Sequence, residues 1–448
     1  MKRSPGRHLG AVASTAALAL LLAACGSSGS SPAASATKAA LTASAPGITA
    51  TTITIGSHQP LTGVAAPGYD EIAPASEAYF RYVNAHGGIY GRKIVYKYLN
   101  DQYNPATTSS VVHQLVLQDN VYALFNGLGT PTHLAVAPFL NSQKVPDVFV
   151  ASGCECWNSP SKWPDTFGFQ LDYVREGKLL GHYIAQHFKN DKIAFFYQND
   201  EFGQDGVKGL KYEIPARQIV SQQAYDPTNV KVGPQVAALK ASKAQVVVSF
   251  SVPAFTALLK LNMLALKYSP QQLAVSNVGS DPITLAGLMQ AFAKQGGATI
   301  PGGGNTLTQG IITDGYLPSL GDMANSWIQL FSKVHKAYLP KLPFDGNVGY
   351  GLAAGYAFVQ AMFKAGRNPS RQDLVTAINA GLPQGPGVAP YLYSASDHNG
   401  VSGAFVATIS NGALVPAGAA QVTDDSPAGG FTAAPPAPAA PASGVPAH

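Results

Sequence analysis

Apolar positions along the chain fall into two alternating periods. Ala75, Ala78, Tyr79, Tyr82 and Val83 recur at helical spacing, and Gly87-Gly88 follows as a stop signal. Short apolar runs surround that stripe: Ile53–Ile55, Ile94–Leu99, Val121–Phe125 and Val148–Ala151 read as strands. Val111, Val112, Leu115 and Val116 mark a second helix between them, and Thr132–Leu140 a short third. The rhythm then repeats. Leu179, Leu180, Tyr183, Ile184, His187 and Phe188 stripe a helix, followed by a strand at Ile193–Tyr197, a helix around Val207–Tyr212 and a strand near Ile219. Val232, Val236 and Leu239 mark a helix, Gln245–Phe250 a strand, Pro253–Leu266 a helix and Leu273–Ser276 a strand. Apolar strands alternating with helices imply parallel sheets covered on both faces. Two such runs predict an α/β chain of two Rossmann-like lobes. In such sheets ligands bind beyond the carboxyl ends of the strands, here in a cleft between the lobes. Later, Val348–Phe363 reads as a Gly/Ala-rich helix. Tyr391–Tyr393 and Val401–Ile409 read as strands around Asp397-His398-Asn399-Gly400, whose Asn-Gly pair signals a tight turn.

The ends of the chain carry a different pattern. Lys2, Arg3 and Arg7 precede an apolar run from Leu9 to Leu22, too short for a permanent membrane span. Small residues at Ala23-Ala24 suit a cleavage site, so residues 1–25 read as a signal peptide. Leu22-Ala23-Ala24-Cys25 resembles the bacterial lipoprotein signal, which implies acylation at Cys25 and a place on the outer face of the cell membrane. Residues 26–50, rich in Ser, Ala and Gly, read as a flexible spacer. Residues 417–448, mostly Ala, Pro and Gly, read as a disordered tail.

Composition narrows the function. Removing Lys2, Arg3 and Arg7 from the 29 basic residues leaves 26 against 24 acidic ones. That balance argues against nucleic acid as a partner, which needs concentrated positive charge. Charged residues make up 12% of the chain, about half the usual share, so the surface is unusually neutral. No phosphate-binding loop, nucleophile elbow or metal-binding His-Glu-x-x-His helix is present. Without an acid/base constellation the chain reads as a binder rather than an enzyme, with no cofactor and no metal. Cys154 and Cys156, separated by Glu155, leave a disulfide open in an exported protein. They are a weak zinc signal.

Several segments, taken in order, resemble one family. They are Ile53-Thr54-Ile55-Gly56 through Pro60-Leu61-Thr62-Gly63, Asn84–Ile94, Asn100-Asp101-Gln102-Tyr103-Asn104-Pro105 and Asn199–Gly206. Together they resemble the Leu/Ile/Val-binding proteins, the type I periplasmic binding proteins of ABC importers. The resemblance implies lobes formed by 51–171 with 314–396 and by 172–313 with 397–416. These would be joined by three crossovers and close on a ligand by hinge motion. It also implies a monomer that hands a small molecule to a permease and ATPase on separate chains. A sensor on the same fold, reporting to a signalling partner, is the other reading. The loop Leu128, Gly129, Thr130 and the pair Ser152, Gly153 fall where relatives offer donors to a ligand carboxylate. Tyr173 and Asn277 fall where relatives that bind α-amino acids place acids against the ammonium, with Asp172 adjacent but expected to point elsewhere. Phe202 replaces a hydroxylated aromatic, and Tyr69 is placed to wall the cleft. An ammonium buried without a charged partner is costly. The expected ligand is therefore apolar or aromatic, a carboxylate or amino-acid-like compound among the candidates.

Overall fold

The computed structural model describes residues 40–447; the readings at Cys25 and on residues 1–39 lie outside them. Its first sheet contains β1 (Thr52–Gln59), β2 (Lys93–Asn100), β3 (Leu124–Phe125), β4 (Asp147–Val150) and β5 (Thr166–Gly168). These run parallel in the order β2-β1-β3-β4-β5. The second sheet contains β6 (Ile193–Gln198), β7 (Ile219–Tyr225), β8 (Val246–Phe250), β9 (Gln272–Val275), β10 (Ile312–Gly315), β11 (Gly403–Ser410), β12 (Ala413–Pro416), β13 (Gln421–Val422) and β14 (Thr432–Ala433). Its order is β14-β13-β11-β10-β9-β8-β6-β7, with β12 paired to β11. Strands β6 to β10 pair in parallel, and β11 to β14 antiparallel. Val246–Phe250 is buried along its whole length, as a strand covered on both faces must be.

The chain passes between the sheets where hinge motion would be absorbed. Phe169–Leu171 leads from β5 into the helix Tyr173–His187. After β10 the chain returns to the first lobe as the helices Ser326–Tyr338, Gly346–Ala365 and Arg371–Asn379. The helix Gly346–Ala365 packs on Ile72–Ala85, and its Gly351 is required because a Cβ there would meet the Ile72 carbonyl. The last passage precedes β11. His398 still belongs to the first lobe, its Nδ1 2.8 Å from the Thr166 carbonyl. Asn399-Gly400 is not the tight turn expected; the local bridge is Ser394↔Asp397. Gly400 instead lets the backbone pass against Phe169, whose carbonyl accepts from Val401 N at 3.0 Å. Tyr391–Tyr393 forms only an isolated bridge to Val401 rather than a strand.

The tail departs most from expectation. Residues 417–447 follow a defined course over both lobes instead of remaining disordered. β13 extends the second sheet at Gly403–Ala404. Beyond β14 the tail crosses to the first lobe, where its carbonyls accept from buried donors: Trp327 Nε1 to Pro438 (2.7 Å), Tyr82 hydroxyl to Ser443 (2.7 Å) and Tyr79 hydroxyl to Gly444 (2.8 Å). Composition suggested disorder because the segment has few side chains to bury. It is held by its backbone carbonyls, which a buried donor must find. No helix among the described residues is long and apolar enough to cross a membrane.

Candidate ligand-binding site

Two helices that meet through glycines set the aromatic wall. A Cβ on Gly177 would run into the Gly206 carbonyl, and one on Gly209 into the Val174 carbonyl. The helices Tyr173–His187 and Glu201–Glu213 therefore lie backbone to backbone, which brings Tyr173 and Phe202 together at their N-terminal ends. Their rings are 4.6 Å apart between centroids. Asp172 caps the first helix, accepting from Arg175 N at 2.9 Å, and pairs with Arg175 Nη1 at 2.6 Å. Its carboxylate is thus turned into the helix start and engaged there. Asp200 caps the second helix, and Gln198 links Asp200 (2.6 Å), the Tyr103 hydroxyl (3.2 Å) and the Tyr225 hydroxyl (3.0 Å).

The loop Leu128–Thr130 follows β3 and opens the short helix Thr130–Leu134. Gly129 holds φ at 101°, a conformation open to glycine. The Thr130 and Ser152 hydroxyls bond at 2.7 Å. A buried chain of side chains props this loop from beneath. Asp101 Oδ2 lies 2.7 Å from His58 Nδ1, His58 Nε2 2.9 Å from His133 Nδ1, and His133 Nε2 2.7 Å from Asp147 Oδ2. All four side chains are buried. Three hydrogen bonds among two carboxylates and two imidazoles require three protons, one more than two neutral imidazoles carry. Burial, opposed by the Asp101 carboxylate, holds His58 below its usual pKa.

Asn277 is anchored rather than free. Its N–H donates to Glu176 Oε1 (2.7 Å) and Asp314 Oδ1 (3.1 Å), and its amide nitrogen to the Asp314 carbonyl (2.8 Å). Burial pushes Glu176 up to about 7, and burial with the neighbouring Glu176 raises Asp314 as well. Across the cleft, the Tyr69 hydroxyl donates to the Val278 carbonyl (2.7 Å), Gly346 N to Asp281 Oδ2 (2.9 Å) and the Asn347 amide to Thr284 Oγ1 (3.1 Å). These bonds hold the lobes together at the rim. Burial first, then Asp345, raises Glu71 there to about 9.

A cavity of about 330 Å³ lies between the lobes. Clefts of roughly 300–1,000 Å³ take drug-sized ligands. Of the residues expected from sequence, Tyr69, Leu128, Gly129, Thr130, Tyr173, Phe202 and Asn277 line it. Ser152 and Gly153 do not; Ser152 stands behind Thr130. Tyr103, Gln170, Val278, Tyr316, Leu317, Leu320, Ile328, Phe331, Phe344 and Tyr350 line it too and were missed. Tyr103 was within reach of sequence reading, because it lies inside the Asn100–Pro105 segment already singled out. The late residues had no local signal. The lining contains no Lys, Arg, His or Glu, and its only Asp residues are Asp281 and Asp345. Both cap helices: Asp281 accepts from Thr284 N at 2.8 Å and Asp345 from Val348 N at 3.0 Å. Cys154 and Cys156, just behind the site, form a disulfide. Among the described residues no group of His, Cys, Asp and Glu side chains converges as a metal site.

The sequence matches the family described as "Periplasmic binding protein" over residues 52–413. The "Leu/Ile/Val-binding protein homolog 3" of Brucella melitensis is 26% identical over 205 residues, 44% of this chain and 53% of that protein. The match thus spans about half the length of that curated relative. A fatty acid ABC transporter substrate-binding protein from Thermomonospora curvata superposes with a TM-score of 0.71 at 22% identity, covering 83% of this chain and 93% of that one. A branched-chain amino acid ABC transporter structure from Thermus thermophilus, with bound valine, gives 0.67 at 19% identity over 82% and 95%. At these identities the likeness to solved structures is one of fold.

Proposed function

Because this chain belongs to the periplasmic binding protein family, we propose that it is the exported solute-binding component of an ABC importer, with permease and ATPase on separate chains. It captures an apolar or aromatic solute with a polar, carboxylate-type end by closure of the two lobes. The observation that carries this reading is the lining of the cavity: it is mainly apolar and aromatic, and its only acids, Asp281 and Asp345, already cap helices. A zwitterion's ammonium would enter without a free carboxylate to meet it, which is costly in a closed cleft. The hydroxyls of Thr130 and Tyr173 supply neutral polar contacts for one end of the solute. Anchoring through an acylated Cys25 would keep the loaded protein near its permease. Replacing Cys25 with Ser should release the protein from cells.

A thermal-shift panel over amino acids, aromatic acids, aliphatic acids, amides and urea tests the reading. A ligand at about a hundredfold its Kd adds roughly 2.7 kcal/mol of stability. The expected result is a shift with apolar or aromatic acids and none with leucine, isoleucine or valine.

A further inference from the structure

The lining of the cavity has two chemically different parts. In one, Thr130 and Tyr173 are buried, and the Thr130 hydroxyl bonds Ser152. A second, apolar part of the lining, here the arm, consists of Leu317, Leu320, Ile328, Phe331 and Phe344. These residues come from the connection after β10, the helix Ser326–Tyr338 and the approach to the helix Gly346–Ala365. Leu317 and Leu320 belong to the strand-end loop after β10, whereas Ile328, Phe331 and Phe344 lie beyond it, on or near the returning helices. Ile328 and Phe331 are buried, whereas Leu317, Leu320 and Phe344 are half-buried, so the arm runs outward toward the rim. Gly349 makes room for the Leu320 side chain: a Cβ there would stand 3.2 Å from Leu320 Cδ2. No cation lines either part.

Resting on the solute-binding reading above, we infer that the arm is a subsite for an unbranched hydrocarbon chain, and that the ligand is a straight-chain acyl compound. Its carboxyl or amide head lies against Thr130 and Tyr173, and its tail trails along the arm toward Leu320. A compact ligand would leave this arm without a partner. A flexible chain fills it one methylene at a time.

The consequence is a chain-length dependence. Each methylene taken from water into the arm should tighten binding about three- to fourfold, until the tail passes Leu317 and Leu320 and the gain stops. The test measures calorimetric affinities of the purified, delipidated full chain for butanoate, hexanoate, octanoate, decanoate and dodecanoate. The primary amides of the same acids form a parallel series. Affinity that climbs with length and then levels supports the inference, and the better-bound series identifies the head group. Leu320→Trp should flatten the climb, so that decanoate and dodecanoate bind no more tightly than hexanoate to that variant. Leu317→Trp at the same rim serves if the first variant does not fold. Short acids that bind with no dependence on length would overturn the arm while leaving the solute-binding reading intact. A ligand found by the broader panel with no acyl compound binding would do the same. No binding by any compound in either experiment would remove the solute-binding reading itself.

Discussion

Deleting residues 417–448 should destabilise the fold substantially, although composition alone marks the segment as dispensable. Its carbonyls and acids meet donors on both lobes. On the first lobe these are Tyr79, Tyr82 and Trp327. On the second, Arg175 Nε donates to the Thr423 carbonyl (3.1 Å), and Lys178 Nζ to the Ser426 carbonyl (2.7 Å) and Asp424 Oδ1 (3.0 Å). The Lys178 side chain is 0% exposed. A neutral hydrogen bond contributes about 0.5–1.5 kcal/mol and one to a charged group about 1.5–3 kcal/mol. Water would replace part of each, so the loss should be on the order of 3–6 kcal/mol. That is a large part of the roughly 5–15 kcal/mol that holds a typical domain folded. Urea denaturation followed by tryptophan fluorescence reads the loss as a lower midpoint. Trp327→Phe, which removes one bond to Pro438, should cost only about 1 kcal/mol. An unchanged midpoint on deletion would refute the docked tail.

Three further outcomes follow from the site. Tyr173→Ala should weaken ligand binding at least tenfold in calorimetry while circular dichroism stays native; unchanged affinity would remove Tyr173 from the site. Asp147→Asn leaves His133 facing an amide in a buried chain, and the fold should lose about 3–5 kcal/mol in urea denaturation; a loss under about 1 kcal/mol would contradict a structural role for the buried His133–Asp147 bond. Glu71 sits near 9 in the closed cleft against an ordinary 4.5, raised by burial and by Asp345, Asp70 and Asp281. A raised carboxyl pKa means that the closed form holds a proton the open, hydrated form releases. Closure therefore takes up a proton between those values, and affinity should fall as pH rises across that window. Glu71→Gln should flatten the profile, and an unchanged profile in that variant would exclude Glu71 as its cause.

Periodicity made most of the architecture legible, because long stripes and wholly buried strands leave strong local patterns. The stripe from Ala75 to Val83 lies within the helix Ile72–Ala85, and Gln245–Phe250 overlaps β8. Short elements escaped. β5 has three residues, and its burial comes from β4 beside it and from His398 and Tyr393 far along the chain. Asn399-Gly400 misled because its glycine answers a close backbone approach to Phe169 rather than a turn. Strand-end loops were readable as cleft walls, since parallel sheets put them there. The chain Asp101–His58–His133–Asp147 gathers residues from four separate segments, so no spacing announces it. The same holds for the arm: Leu317 through Phe344 face the cavity only through the return of the chain after β10.

The central claim is that the cleft takes an apolar solute rather than a free amino acid. Calorimetric titration of the delipidated protein with L-leucine tests it most directly. The account predicts no saturable heat at millimolar leucine, with an apolar carboxylate binding at least a hundredfold more tightly under the same conditions. One-to-one leucine binding at micromolar Kd would contradict it.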